Sequence, residues 1–543
     1  MLTRLLLALA VLCAAAPARA GHAGDPPTSD LPSGRVGGAT RVIVQARDGQ
    51  SLETLFELVG ARRVRSLRAV GADVVEVDDA ALPTLAGDPR VRAVSVDRPV
   101  ASTMERAAAA VGARWVRESL GFDGAGVGVA LVDSGVTAWH DDLAGHAGQR
   151  VVHFVDFVNR RPNAYDDFGH GTHVAGIVAG NGFTSDGARA GIAPGASLVA
   201  LKVLDESGDG YVSDVIAAID YAIEHRDEFN VRVMNLSVAA APTESYHTDP
   251  LTLAARRATE AGIVVVCASG NMGRTAAGES IYGGITAPGN APWVLTVGAA
   301  THNGTVERED DTVASFSSRG PTRFDNAAKP DIVAPGVGIE SLSQPGSALY
   351  RARPQMRLWG TVETADPPYF SMSGTSMAAP VVAGTVALMV QANPSLTPNA
   401  IKAILQYTAE PRKDLDLLTQ GAGFLNARGA VQLAAWFGTP DAPVDEDTTT
   451  WSRRIHWGNH RVSGGVIMPD ASAWAASTIW GAAFDANGDN IVWGTMAGSE
   501  GLLWGTACAT ERCESIAWGA PGDDNFVWGT SDDQEIVWGA RRR

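Results

Sequence analysis

Cysteine and positive charge are both scarce in this chain. Only 4 of its 543 residues are cysteine, and 43 lysines and arginines stand against 60 aspartates and glutamates, which gives a net charge of −17. A small disulfide-stapled fold is therefore excluded, and an acidic surface repels phosphates, so no nucleic-acid partner is expected. With 45% hydrophobic and 19% charged residues, the composition is otherwise that of a folded protein.

Long hydrophobic runs are also missing, apart from one near the N-terminus. An apolar run at 5–16 follows Arg4 and precedes the Ala-Arg-Ala sequence at 18–20, the small-x-small pattern at which signal peptidase cuts. The run is too short to cross a bilayer, which needs about 20 apolar residues, so a membrane anchor is disfavoured. Cys13 follows a leucine rather than a small residue, which disfavours a lipoprotein. We therefore predict a signal peptide over 1–20, export of a secreted or extracytoplasmic protein, and no membrane span.

Lysine is absent after residue 440, where the composition changes. This acidic region, 440–543, repeats the dipeptide Trp-Gly, usually after two apolar residues. The dipeptide begins at positions 457, 480, 493, 504, 518, 528 and 538. Such spacing predicts either a short-strand repeat region or a disordered tail, whose tryptophans either pack together or form an exposed ladder that contacts a cell surface, a glycan or a partner. Cys508 and Cys513 are candidates for a small loop disulfide.

Two further regions differ in their hydrophobic patterns. Residues 41–100 alternate strand-like and helix-like segments, which predicts a compact α+β unit. Residues 105–435 alternate buried apolar strands with helices, which predicts an α/β fold with a mostly parallel sheet covered on both faces. Within the second region, strands are expected near 127–132, 198–203, 232–237 and 263–267, and helices near 214–225 and 248–260.

Three polar residues of the second region lie in local contexts typical of catalysis. Asp133 ends an apolar strand, His170 lies between glycines before a helical stretch, and Ser376 opens an apolar helix. Alone, Asp133 could be a turn former and Ser376 a helix cap. Together the three supply what acyl transfer needs, because an imidazole must take the serine proton and a carboxylate must orient that imidazole.

Other chemistries fit this part of the sequence less well. His170 and His173 are three residues apart but lack the adjacent glutamate and third ligand of a zinc peptidase. The order Asp, His, Ser differs from that of α/β-hydrolases, and Ala378 replaces the second glycine of their Gly-x-Ser-x-Gly elbow. Asn271 ends another buried strand and is either a turn residue or an oxyanion donor. Cys267, on that strand, is predicted to be a buried core residue rather than a nucleophile.

With these four segments in this order, the chain resembles the subtilisin-like serine peptidases over residues 105–435. The resemblance implies a three-layer fold, with a mostly parallel sheet between helices. It also implies that Asp133 orients the base, His170 acts as general base and acid, and Ser376 is the nucleophile. Asn271, with the backbone N–H of Ser376, would then stabilise the oxyanion.

The same resemblance gives residues 41–100 a role. They look like a ferredoxin-like inhibitory propeptide, an intramolecular inhibitor that assists folding and is then cut off within 100–110. An unrelated N-terminal domain is the alternative.

Substrate binding is also implied by the resemblance. Extended peptide is expected to add as a strand beside residues 207–210 and beside Ser237, where Ala239 replaces a usual glycine and crowds the non-primed side. Residues 268–270 are expected to form one wall of the P1 pocket and residues 286–289, beginning with Thr286, its base. No acid is aligned there with lysine or arginine, so neutral, medium-sized P1 residues are expected. The 287–288 bond is a candidate cis-prolyl bond. The expected substrate-binding residues are Ser207, Gly208, Gly210, Ser237, Ala268, Ser269, Gly270 and Thr286.

No cofactor is required for this chemistry, although relatives carry structural calcium. Asp142 aligns with one calcium ligand, whereas the loop at 181–190, which normally supplies the other oxygens, matches poorly. A calcium site at Asp142 is therefore one alternative, and a solvated aspartate is the other. The stretch 341–369 resembles an insertion just before Ser376, which either rims the substrate cleft or decorates the surface.

The leading hypothesis is a secreted serine endopeptidase that acts on polypeptides and is made as a self-processing zymogen. One alternative is a dedicated processing peptidase or transpeptidase that acts on a single partner. Another is a surface-binding protein that acts through its Trp-Gly extension and carries a vestigial peptidase domain. The intact motifs at Asp133, His170 and Ser376 disfavour the last alternative.

Overall fold

A computed structural model describes most of the chain from residue 39 onward, in two compact units that divide between Val100 and Ala101. The described residues are 39–47, 50–67, 72–96, 103–137, 139–145, 148–275, 277–439, 444, 448–457, 460–463, 474–475, 513–515, 526–530 and 536–540. The predicted signal peptide at 1–20, Cys508 and the Trp-Gly dipeptides at 480, 493, 504 and 518 lie outside them.

The first unit is a four-stranded antiparallel sheet with two helices. Its elements are β1 Ala39–Ala46, α1 Glu53–Leu58, β2 Arg62–Leu67, β3 Ala72–Asp78, α2 Leu82–Gly87 and β4 Val91–Val96. The sheet order β2-β3-β1-β4 gives the ferredoxin-like α+β arrangement that the sequence predicts for 41–100. Alternate residues of β1, including Val42 and Val44, are buried with Leu55 and Leu85 of the helices and form one core.

The second unit is built on an eight-stranded sheet. The order is β13-β12-β11-β10-β5-β9-β8, with β14 also paired to β12, and β13 is the antiparallel member. The strands up to residue 372 are β5 Gly128–Asp133, β6 Ala144–Gly145, β7 Gly148–Gln149, β8 Val151–Asp156, β9 Ser197–Lys202, β10 Val231–Leu236, β11 Val264–Ala268, β12 Leu295–Thr301, β13 Thr312–Val313, β14 Ile332–Pro335, β15 Ile339–Leu342, β16 Arg357–Leu358 and β17 Tyr369–Met372.

Helices cover both faces of this sheet, which gives the predicted three-layer α/β fold. Residues that alternate along β5 face opposite sides, so Val129 and Leu131 join one core with α5 and α9, whereas Ala130 and Val132 join another with α6 and α7. The helices are α3 Thr103–Ala110, α4 Ala113–Trp115, α5 His170–Ala179, α6 Val212–Glu224, α7 Pro250–Glu260, α8 Ala348–Ala352, α9 Thr375–Ala392, α10 Pro398–Thr408, α11 Leu417–Gln420 and α12 Ala427–Gly438.

The four strands and two helices predicted by range in 105–435 are confirmed. The strands are shifted by one residue, and the helix bounds differ by at most two residues. The strands were recognisable because every residue of β5 and of β11 is buried, and a strand covered on both faces is continuously apolar.

Helix α9 is the central helix of the larger core. The expectation that no long hydrophobic run follows the N-terminal one is wrong here, because among the described residues this 18-residue helix is long and apolar enough to cross a membrane. However, 83% of its residues are buried inside the protein. It packs against α5, α12 and strands β10, β11, β12 and β14. Its apolar sequence is thus that of a core helix.

The larger core continues past residue 439 into the acidic region. Strand β18, Arg454–Trp457, packs on α10, and Trp451, Ile455 and Trp457 are buried in the same core as α9. The Gln406 side chain holds the main chain of this strand, because its Oε1 accepts from the His456 N–H at 2.8 Å and its Nε2 donates to the His456 carbonyl at 3.1 Å. Trp457, the tryptophan of the first Trp-Gly dipeptide, is therefore part of the packed peptidase core.

The described part of the extension also contains further short strands. β18 pairs with β19, His460–Ser463, which in turn pairs with β20, Cys513–Ser515. β21, Phe526–Thr530, and β22, Ile536–Ala540, form an antiparallel pair in which Trp528 lies opposite Trp538.

Candidate active site

The residues predicted for catalysis lie at the ends of core elements. Asp133 is the last residue of β5, His170 is the first residue of α5, and Ser376 is the second residue of α9. Helix α5 approaches the end of β5 so closely that a Cβ on Gly171 would lie 2.0 Å from the carbonyl oxygen of Gly135. Glycine is required at this contact, which explains why a glycine follows the histidine.

Asp133 and His170 form a hydrogen-bonded pair. Nδ1 of His170 lies 2.7 Å from Oδ1 of Asp133, and the Ser134 backbone N–H donates to the same oxygen at 2.7 Å. Burial disfavours the protonated imidazole, but the charge and hydrogen bond of Asp133 outweigh it, so the pKa of His170 is raised above its ordinary value. With its proton on Nδ1, the imidazole can accept another through Nε2.

A second buried carboxylate, Asp166, ties these two segments together. Its Oδ1 accepts from the Ser134 hydroxyl at 2.9 Å and the Gly169 N–H at 2.7 Å, and its Oδ2 accepts from the N–H and hydroxyl of Thr172 at 2.8 and 2.7 Å. The hydroxyl oxygen of Ser134 also accepts from the Gly171 N–H at 2.9 Å. Burial raises the pKa of Asp166 above its ordinary value, although these four donors favour its charged form. No local pattern in the sequence marks this residue, because its role depends on contacts with the segment just after β5.

Ser376 is held against the end of β10. Its hydroxyl donates to the carbonyl of Ser237 at 3.1 Å, and the Ser237 hydroxyl donates to the carbonyl of Ser376 at 2.9 Å. Nδ2 of Asn235, a buried residue that the sequence analysis also missed, donates to the Ser237 hydroxyl at 2.9 Å. These reciprocal bonds fix the start of α9 relative to the sheet.

Asn271 is oriented by the residue before the serine. Its Oδ1 accepts from both the backbone N–H and the hydroxyl of Thr375, at 2.9 and 3.1 Å. The opposite end of the amide, Nδ2, lies 3.6 Å from where a Cβ on Gly374 would be. The N–H donors of Asn271 are therefore presented beside the first turn of α9, where backbone N–H groups lack intrahelical partners.

Several predicted substrate-binding residues line one cleft of about 350 Å³ together with His170. Gly208, Gly210 and Ser237 are among its lining residues, and Ala239 is too. The exposed Ser207 lies at the adjacent turn, where its N–H donates to Asp205 at 2.8 Å. The rest of the lining is Phe168, Leu204, Asp209, Tyr211, Val212, Val215, Val238, Ala240 and Leu251.

The residues predicted for the P1 pocket lie close together, because the Thr286 N–H donates to the Ser269 carbonyl at 3.1 Å. Ala268 and Ser269 are buried, and a Cβ on Gly270 would lie 2.8 Å from Cγ2 of Thr286. Gly270 is joined to the segment before the serine, since its N–H donates to the Thr375 hydroxyl at 3.2 Å. The predicted cis bond is present between residues 287 and 288.

Cys267 is a free cysteine, and it is buried in β11. Burial raises the pKa of its thiol to about 12, so it is a core residue, as predicted, and holds no reactive thiolate.

The insertion predicted at 341–369 borders the loop before His170. The N–H of Ala348, at the start of α8, donates to the carbonyl of Asp167 at 2.8 Å, and the N–H of Leu349 donates to that of Phe168 at 3.0 Å. Phe168 itself lines the cleft. The insertion thus supports one wall of the cleft.

The residues around Asp142 do not fit a calcium ion. The carboxylate is fully buried and accepts from the N–H and hydroxyl of Thr184, at 2.8 and 2.7 Å, and from the hydroxyl of Tyr369, at 2.5 Å. Calcium needs about six to eight oxygen ligands, whereas these groups present protons to the carboxylate. In the described part of the chain, no group of three or more His, Cys, Asp or Glu side chains is arranged to hold a metal.

Comparison with known proteins places these residues in a recognised sequence family. Residues 124–431 match the subtilase family, Peptidase S8. The chain is 38% identical over 405 residues to Serine protease AprX of Bacillus subtilis (strain 168), a match that covers 72% of this chain and 87% of that protein. It is 35% identical over 312 residues to Subtilisin Savinase of Lederbergia lenta, with 58% and 93% covered. Among solved structures, a cold adapted subtilisin-like serine proteinase matches with 29% identity and a TM-score of 0.42, over 56% of this chain and 90% of that one.

Proposed function

The chain is a serine protease of the subtilase family, and we propose that it is a secreted endopeptidase that hydrolyses peptide bonds through Asp133, His170 and Ser376. The observation that carries the proposal is the 2.7 Å contact between Nδ1 of His170 and Oδ1 of Asp133. This contact orients the imidazole at the edge of a cleft that also contains the Ser237 segment, to which Ser376 is bonded.

In the proposed reaction, Nε2 of His170 takes the proton of the Ser376 hydroxyl as Oγ attacks the carbonyl carbon of the scissile bond. The resulting oxyanion is stabilised by Nδ2 of Asn271 and by the backbone N–H of Ser376. His170 then gives its proton to the leaving nitrogen, the C–N bond breaks, and an acyl-enzyme ester remains. Water, deprotonated by the same imidazole, attacks the ester, releases the carboxylic acid product and restores the serine.

The resting hydroxyl must move before it can react. It donates to the Ser237 carbonyl, so rotation of the hydroxyl away from that carbonyl is the first step toward His170. That rotation frees the Ser237 carbonyl to accept a main-chain N–H from an extended substrate lying in the cleft. Hydrogen bonding to substrate and activation of the nucleophile are thereby linked.

We extend the proposal to the life cycle of the protein. The apolar run at 5–16 followed by Ala-Arg-Ala supports removal of 1–20 during export. The ferredoxin-like unit within 41–100 supports a propeptide that inhibits the enzyme until a cut within 100–110. The reaction needs no cofactor. The P1 pocket prefers neutral, medium-sized residues. Contact of the Trp-Gly extension with a cell surface or glycan stays a prediction.

The intact masses of full-length wild type, Ser376→Ala and Ser373→Ala test the proposal. Ser373 is an exposed serine in the same segment and serves as the matched control. Wild type and Ser373→Ala should lose everything up to a bond within 100–110, whereas Ser376→Ala should lose only 1–20. Equal processing of all three chains would contradict self-maturation. Failure of the processed enzyme to fragment unfolded casein would contradict a general endopeptidase and favour action on a single partner.

A further inference from the structure

Asp142 is a buried carboxylate whose two oxygens are both engaged by uncharged donors. It lies in the short turn Asp141–Leu143, just after the end of the strand that carries Asp133. Oδ1 accepts from the N–H and hydroxyl of Thr184, and Oδ2 accepts from the hydroxyl of Tyr369 at 2.5 Å. Burying a carboxylate is costly unless it is hydrogen-bonded or paired, and here hydrogen bonds meet that requirement.

The carbonyl oxygens that a cation would need are engaged by the loop itself. The Asp142 carbonyl accepts from the Asn181 N–H at 2.8 Å, and the Ala144 carbonyl accepts from Nδ2 of Asn181. The Gly182 carbonyl accepts from the N–H groups of Ser185 and Gly187, both at 2.9 Å. The loop at 181–190 therefore closes on itself through hydrogen bonds.

Tyr369 reaches this loop from the insertion. It is the first residue of β17, which pairs with β15 and β16. The same insertion crosses the loop, because the N–H groups of Thr361 and Val362 donate to the Thr184 carbonyl at 2.9 and 3.2 Å. A Cβ on Gly360 would lie 2.0 Å from that carbonyl, so the two backbones are in close contact.

The Tyr369 side chain is held in place on its other sides. Its oxygen lies 2.9 Å from Oγ of Ser185, and the Arg189 guanidinium lies 4.7 Å from the ring centroid. Nε of Arg189 is in turn 2.7 Å from Oε2 of Glu340. Burial and the Asp142 charge raise the pKa of Tyr369 above its ordinary value, so the hydroxyl keeps the proton that it donates.

We propose that the hydroxyl of Tyr369 engages Asp142 in place of the calcium that the family resemblance implies there, so that the insertion fastens the 181–190 loop by hydrogen bonds instead of metal. The insertion is thus a stabilising element, and the stability of this loop does not depend on calcium at Asp142.

Thermal unfolding of matched tyrosine variants tests the fastening role. Tyr350 provides the control, because it belongs to the same insertion and its buried hydroxyl has no hydrogen-bond partner. Both changes are made in the full-length Ser376→Ala chain, which prevents self-digestion. Tyr369→Phe should lower the Tm by about 2–8 °C, since it leaves a buried carboxylate oxygen unsatisfied, and Tyr350→Phe should leave it nearly unchanged. Equal Tm values for the two variants would overturn the proposal.

A second arm of the test measures the dependence of the Tm on metal. It compares the Tm in excess Ca²⁺ with the Tm in EDTA, first for the Ser376→Ala chain and then for the same chain with Asp142→Asn. The proposal expects the difference between the two conditions to be the same in both chains, whether it is zero or arises from calcium bound elsewhere. A calcium-dependent rise in Tm that Asp142→Asn abolishes would overturn it. This arm also decides the question if Tyr369→Phe fails to fold.

Discussion

Nε2 of His456 lies 3.9 Å from Oδ1 of Asp331, so a strand of the acidic extension reaches an ion cluster inside the peptidase core. Nζ of Lys402 lies 3.0 Å from the same oxygen, and Nζ of Lys329 lies 2.8 Å from Oδ2. The two lysines and the aspartate are almost fully buried, and His456 is entirely so. Since one carboxylate faces two cations, a protonated His456 would add a third positive charge.

The neutral state of His456 should make folding sensitive to acid. Burial and the charges of Lys402 and Lys329 lower the pKa of His456 from 6.5 to about 4, because together they outweigh the Asp331 charge and a hydrogen bond to the Pro330 carbonyl, which act in the opposite direction. Between these pH values the unfolded chain binds a proton that the folded chain does not, so the free energy of unfolding should fall as the pH falls from about 6.5 to about 4, by about 3 kcal/mol at most.

Urea unfolding of the Ser376→Ala chain at several pH values from 4 to 7.5 measures this effect. His456→Gln removes the titrating imidazole and should make the free energy of unfolding depend less steeply on pH. Carboxylates elsewhere in the chain still contribute to that dependence. If the free energy of unfolding changes with pH by the same amount in both chains, His456 has the same pKa in the folded and unfolded states, which would contradict the prediction.

Removing the tryptophan of the first Trp-Gly dipeptide should destabilise the whole larger unit. Trp457 is 2% exposed, whereas Trp359, which is also followed by a glycine, is 58% exposed. Trp457→Ala should cost about 3–5 kcal/mol of unfolding free energy, because it opens a cavity in the core, and Trp359→Ala should cost less than about 1 kcal/mol. Urea unfolding in the Ser376→Ala background measures both. Similar values for the two changes would mean that the extension is not part of the core.

Asp166 should act as a positioning residue for His170. Asp166→Asn removes a charge that favours the protonated imidazole and disturbs four hydrogen bonds, so kcat should fall by about 10- to 100-fold with little change in KM. The acid limb of the kcat/KM profile should also move to lower pH. The exposed Asp141, changed to asparagine, is the control. A lower Tm with unchanged kinetics would indicate a purely structural role.

The sequence predicts the catalytic motifs because each carries a local signature. A carboxylate at the end of an apolar strand, a histidine between glycines and a serine before a core helix are each ambiguous alone, but Asp133, His170 and Ser376 in this order indicate acyl-transfer chemistry. Continuous apolar runs likewise predict the strands to within one residue. These features depend on burial and backbone geometry that the local sequence determines.

Residues that act through long-range contacts could not be predicted in this way. Asp166 lies next to Asp167 in sequence, and only the fold shows which of the two accepts from Ser134 and Thr172. Tyr369 is 227 positions from Asp142 in the sequence, so no local pattern in either segment predicts their hydrogen bond. A Trp-Gly repeat looks the same at every copy, and the sequence does not distinguish the buried Trp457 from the others.

The most direct test of the proposed active site is the position at which a fluorophosphonate probe attaches to the processed enzyme. Such probes phosphonylate a serine only when a neighbouring base has activated its hydroxyl. We predict a single adduct on Ser376 in wild type and in Ser373→Ala, located by mass spectrometry of peptides. Labelling should be greatly slowed in His170→Ala that added wild-type enzyme has first cut within 100–110. An adduct on another serine, or labelling of His170→Ala at the wild-type rate, would contradict the account.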